Sequence, residues 1–76
     1  MTKEKELTIV QGAVVEAMAA EGVTSITPGV LDADDDLTVW KDTTVGQFIP
    51  GGNESLVGEY HIGTDGSVDQ VSFEGG

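Results

Sequence analysis

The sequence predicts a mostly β fold, a small β domain of about five short strands, with one short N-terminal helical segment and an extended N-terminal arm. Three observations carry this. From residue 23 onward, turn signals recur at Thr27-Pro28-Gly29, Asp34-Asp35-Asp36, Pro50-Gly51-Gly52-Asn53 and Asp65-Gly66, with short apolar runs between them, which is the spacing of β structure. An alanine-rich stretch closed by Gly22 precedes them. Ahead of that, residues 1–6 read MTKEKE and offer almost nothing to a core.

Each element follows from its residues. Residues 1–6 hold Lys3 and Lys5 and are expected to be a mobile arm until a partner orders them. Residues 7–22, LTIVQGAVVEAMAAEG, continue the arm and contain the helix. Leu7, Val10, Val14 and Met18 are spaced as on one helical face, Ala13, Ala17, Ala19 and Ala20 favour helix, and Gly22 stands where a left-handed C-cap belongs. The β-branched Thr8, Ile9, Val10, Val14 and Val15 oppose it, as does the interruption at Gly12. The balance predicts extended chain to about Ile9 and a short helix over 13–21. Residues 23–73 form the β domain, with strands expected at Gly29 to Leu31, Leu37 to Trp40, Val45 to Ile49, Leu56 to Ile62 and Val68 to Phe73. The last two read as a hairpin turning near Asp65-Gly66. Residues 74–76 are a flexible tail, and with no repeat or linker in view, 1–76 reads as a single domain.

Composition limits what such a domain does. A chain of 76 residues buries only roughly 60% of the surface its unfolded form exposes. It has no cysteine, so neither disulfides nor thiolate-bound metal reinforce it, and oligomerisation or docking on a larger partner is the expected support. Fourteen acidic residues against Lys3, Lys5, Lys41 and no arginine give a formal net charge of -11. Phosphate binding needs clustered cations, so nucleic acid is excluded as a partner, and the same field disfavours anionic membranes. The imbalance fits a solubilising surface in an ordinary cell or adaptation to molar salt in a halophilic setting, where screening removes self-repulsion, and the scarcity of lysine and absence of arginine favour the second. No apolar run approaches the ~20 residues that span a bilayer, and MTKEKEL is no signal peptide, so the chain is expected to be made in the cytoplasm and kept soluble.

The acidic run Asp32-Ala33-Asp34-Asp35-Asp36 is the first candidate for chemistry. Asp32, Asp34 and Asp36 match the first, third and fifth places of an EF-hand loop, but Leu37 and Thr43 stand where that loop needs glycine and a bidentate glutamate. A polar turn between strands is the better reading, and no metal site is expected. His61 alternates with Tyr60 and Ile62 as an ordinary strand residue, and the chain has no Gly-x-Ser-x-Gly elbow and no phosphate loop. Asp65, Ser67 and Asp69 are read as hairpin-turn residues. General acid catalysis needs a carboxyl in a desolvating pocket, for which so small a core has little room. No catalytic residue, cofactor or enzyme activity is predicted. Trp40, Phe48, Tyr60 and Phe73 are the aromatic residues available to the core, and Trp40 is the best candidate for an exposed anchor, since indole is enriched at interface centres.

Residues 24–48, TSITPGVLDADDDLTVWKDTTVGQF, add a resemblance. A Thr-Pro step (Thr27-Pro28), a strand ending in Leu31-Asp32, a polar turn, a strand closing on Trp40 and a Thr-rich loop entering a Val-Gly strand resemble the lambda-type head decoration (cement) proteins of tailed viruses. The resemblance implies a non-enzymatic structural subunit on the virion head surface, bound to the major capsid protein and assembled as a homo-oligomer, a trimer by preference. It further implies an N-terminal arm that adds to a capsid sheet. On this reading Lys3, Lys5, Leu7, Ile9 and Trp40 bind the partner, and Thr27, Pro28, Leu31 and Asp32 are scaffold. Two alternatives compete: a ubiquitin-like modifier or sulfur carrier activated at the terminal Gly75-Gly76, and another small acidic protein-interaction module.

Overall fold

A computed structural model of the chain describes residues 2–74. The terminal Gly75-Gly76, on which the modifier expectation rests, lies outside the described residues. The chain opens with a helix, α1 (Lys3–Glu21), followed by five strands, β1 (Gly29–Leu31), β2 (Thr38–Trp40), β3 (Thr43–Thr44), β4 (Glu59–Ile62) and β5 (Val68–Ser72). The strands form two antiparallel sheets, one in the order β1-β4-β5 and one pairing β2 with β3. Helix holds 36% of the described residues and strand 23%, so the strands are numerous but short and the fold is mixed rather than dominated by β structure.

The extended arm and the late helix start are corrected. Thr2 caps α1 from an extended conformation, its hydroxyl accepting a hydrogen bond from the Lys5 N–H at 3.2 Å. Lys3, Glu4, Lys5, Glu6 and Leu7 are all good helix formers, and Glu4 and Glu6 oppose the positive end of the helix dipole. The resistance expected of the β-branched run and Gly12 is overridden because the stripe Glu6, Val10, Ala13, Val14 and Ala17 is buried along one face. At the other end, Gly22 adopts φ 66° as expected, and the Gly22 and Val23 N–H groups donate to the Ala19 and Met18 carbonyls in a Schellman arrangement.

The strand expected over Val45 to Ile49 is a 3-10 turn, Val45–Phe48. Both Val45 and Ile49 are buried, and a spacing of four satisfies a helical period as well as an alternating one, which is why sequence alone does not separate them. The expected strand from Leu56 contracts to Glu59–Ile62, because Asn53–Ser55 forms a second 3-10 turn and Val57 and Gly58 bond a side chain instead of a neighbouring strand. The β4–β5 hairpin forms as predicted, turning over residues 63–67 with the Asp65 carboxylate accepting from the Ser67 N–H at 3.0 Å. That bond holds the Asp65 carboxyl below the usual carboxylate range. Glu59 pairs with Ser72 and Tyr60 with Gln70, leaving Val71 as the extra residue of a β-bulge.

Leu31, Tyr60 and Ile62 on the inner face of the three-stranded sheet meet Val10, Val14 and Val45 as the fully buried centre of the core, each worth about 1.5–3 kcal/mol of burial. The outer face, with Val30, His61 and Asp69, is exposed. α1 precedes every described strand.

Candidate functional site: an exposed tryptophan face and a buried carboxylate

The exposed site is built by the β2–β3 hairpin. Trp40 pairs with Thr43 across the two-residue connection Lys41-Asp42, and Lys41 is the described non-glycine residue with positive φ, at 50°. A side chain in that region costs roughly 1–2 kcal/mol, and such strain clusters at functional positions. Two bonds hold the turn in place: Gln47 donates to the Asp42 carbonyl at 2.7 Å, and the Thr43 hydroxyl donates to Glu21 at the end of α1 at 2.9 Å. Trp40 is left 50% exposed, with the Lys41 ammonium 5.9 Å from its ring centroid.

Beside it lies a shallow depression of about 450 Å³ lined by Thr27, Pro28, Leu37, Thr38, Val39, Trp40 and Lys41. Its floor depends on close approach between two segments, since a Cβ on Gly29 would stand 2.8 Å from the Leu37 Cδ1. Of the residues singled out from sequence, Thr27, Pro28 and Trp40 therefore share one surface. Leu31 is fully buried core. Asp32 organises the neighbouring turn, accepting the Asp34 and Asp35 N–H groups at 2.9 and 2.8 Å.

The acidic run is thus its own turn. Asp36 accepts the Leu37 and Gly46 N–H groups, both at 2.8 Å, tying the turn to the Val45–Phe48 segment, and Asn53 donates to the Asp32 carbonyl at 3.0 Å. Among the described residues, no group of three or more acidic, histidine or cysteine side chains is arranged to hold a metal ion. His61 stands on the exposed face of β4, 3.2 Å from Glu59.

Lys3, Lys5, Leu7 and Ile9 are not brought to the Trp40 face. Lys3 and Lys5 are exposed on the first turn of α1, while Leu7 and Ile9 are half-buried against the core. Their backbone groups belong to the helix, so the edge-strand addition expected of an arm is unavailable to them in this fold.

Sequence reasoning missed the site at the helix start. Glu6 is only 2% exposed. Its Oε1 accepts from the Val57 N–H at 3.1 Å, the Gly58 N–H at 2.8 Å and the Tyr60 hydroxyl at 2.7 Å, while its Oε2 accepts only from the shared Val57 N–H at 3.1 Å. Gln70 completes the network by donating to the Tyr60 hydroxyl at 3.0 Å and to the Lys3 carbonyl at 2.9 Å. Burial pushes the Tyr60 hydroxyl up from 10.0 to about 12, and the bond it donates to Glu6 acts in the same direction. The signal for this site was present in the chain: Glu6 extends the Val10, Ala13, Val14, Ala17 stripe by one turn.

Compared with protein-family models, curated proteins and solved structures, the chain matches none. No helix among the described residues is long and apolar enough to cross a membrane.

Proposed function

We propose that the protein is a non-enzymatic structural subunit that decorates a virus head, seated on the major capsid protein through its Trp40 face rather than through an N-terminal arm. One observation carries this reading: a half-exposed tryptophan on a strained turn borders a depression whose Thr27, Pro28 and Trp40 belong to the stretch that resembles the decoration proteins. An indole at the centre of a desolvated contact is the side chain that contributes most per residue to an interface. Assembly as a trimer, by the same resemblance, repeats the face around one axis and multiplies a modest affinity. The large negative charge suits a particle that lives in concentrated salt, where it maintains solubility without long-range repulsion from its host surface.

Co-sedimentation with gradient-purified particles tests the proposal. Wild-type protein is expected in the particle fraction and Trp40→Ala in the supernatant, with both folded by circular dichroism. Absence of the wild type from the particles refutes the virion role. Equal retention of Trp40→Ala refutes the docking face alone.

A further inference from the structure

Among the described residues, no cation pairs with the buried Glu6 carboxylate. The ion pair found among the described residues joins His61 to Glu59 and leaves Glu6 out, and its hydrogen bonds are unevenly shared, three on Oε1 and a single shared one on Oε2. Next to it a cleft of about 100 Å³ opens between α1 and the 49–56 segment, bounded by Ile9, Ile49, Pro50, Ser55 and Leu56. Mostly apolar walls, with the Glu6 carboxylate and Ser55 among the lining groups, define a particular chemistry. The walls favour a short aliphatic stem, and the under-used carboxylate oxygen favours a donor that carries positive charge.

We propose that this cleft binds a primary alkylammonium group, its stem against Ile9, Ile49, Pro50 and Leu56 and its ammonium on Glu6 Oε2. Three features select this ligand class. An ammonium brings three donors on a compact head, whereas a quaternary ammonium brings none. The volume is below the roughly 150 Å³ of a cavity that accepts benzene, so the stem is short and unbranched. The net charge of -11 raises the local concentration of cations around the whole body. Such a group is supplied either by a free small amine or by a lysine side chain of a docked protein. The cleft shares no lining residue with the Trp40 depression, so the two sites are tested independently.

The experiment follows the Val57 and Gly58 amide resonances of the full chain during titration with n-butylammonium. Tetramethylammonium and sodium chloride serve as controls at matched ionic strength, and a blocked Gly-Lys-Gly tripeptide forms a parallel arm. Saturable shifts with butylammonium or the tripeptide, absent from both controls, are expected. Saturation by butylammonium alone identifies a small amine as the ligand, and saturation by the tripeptide identifies a lysine side chain. Ile9→Phe fills the cleft from its rim and leaves Glu6 in place, and it is expected to weaken binding at least about tenfold, or about 1.4 kcal/mol. Glu6→Gln is expected to weaken it similarly, and Ile9→Phe carries the test alone where that variant does not fold. Shifts that track ionic strength whatever the cation, or that persist unchanged in Ile9→Phe, overturn the proposal.

Discussion

At the scale of single residues, Glu6 is the side chain on which local stability turns. It satisfies two backbone N–H groups and the Tyr60 hydroxyl where water does not reach. Each buried donor left without an acceptor costs about 1–3 kcal/mol, so Glu6→Ala is expected to lower the unfolding free energy by at least about 3 kcal/mol in urea denaturation. A loss below about 1 kcal/mol would show that the network is replaced by water. Tyr60 gives the pH dependence. Its folded pKa is raised from 10.0 to about 12, so the neutral form is favoured in the folded state, and that stability is fully present below pH 10.0 and is lost as pH rises through about 12. With a shift of this size the loss is about 3 kcal/mol. Tyr60→Phe is expected to be less stable at neutral pH and to lack this alkaline step, as read by denaturation at a series of pH values. Lys41 shows the opposite balance, strain retained beside an exposed site. Lys41→Gly is expected to stabilise the fold by up to about 1 kcal/mol while weakening particle binding. A stabilised variant that binds as well as wild type separates the strain from the function.

At the scale of elements, what was legible in the sequence reflects local chemistry. Gly22 announced the end of α1, Asp65-Gly66 announced the β4–β5 hairpin, and the short runs at 29–31 and 37–40 announced β1 and β2, the latter one residue shorter in the fold. What was not legible depended on partners distant in the chain. Residues 1–6 read locally as a mobile arm and the chain to about Ile9 as extended, yet the segment from Lys3 is helix because Val10 is buried in the core and Glu6 is tied to residues 57–60. The Val45–Phe48 turn failed for a different reason, since a four-residue spacing fits two periods. Likewise Thr27, Pro28 and Trp40 were each identifiable, but their convergence on one depression required the packing of Leu37 against Gly29. Gly12 offers a test of the helix itself. It is exposed, and a Cβ placed there meets nothing within 4 Å, so Gly12→Ala is expected to stabilise the protein by about 0.5–1 kcal/mol. No change, or a loss, in the thermal midpoint contradicts a continuous helix through this position.

For the molecule as a whole, charge dominates. Eleven uncompensated negative charges on a compact body repel one another, and unfolding relieves them. Raising salt from about 0.01 M to about 1 M shortens the Debye length from roughly 30 Å to roughly 3 Å, so the melting temperature is expected to climb with sodium or potassium chloride into the molar range. The rise is expected to be smaller in a variant with Asp34→Asn and Asp35→Asn, exposed members of the acidic turn that share a backbone-capping acceptor in Asp32. The central claim, that the Trp40 face is the docking surface of a virion subunit, has a built-in probe because Trp40 is the chain's one tryptophan. Its emission in the particle-bound protein, corrected for capsid fluorescence with Trp40→Phe protein, measures the burial of that face directly. Binding is expected to shift the emission to shorter wavelength and to cut acrylamide quenching several-fold, whereas bound protein whose tryptophan remains as quenchable as in free solution contradicts the claim.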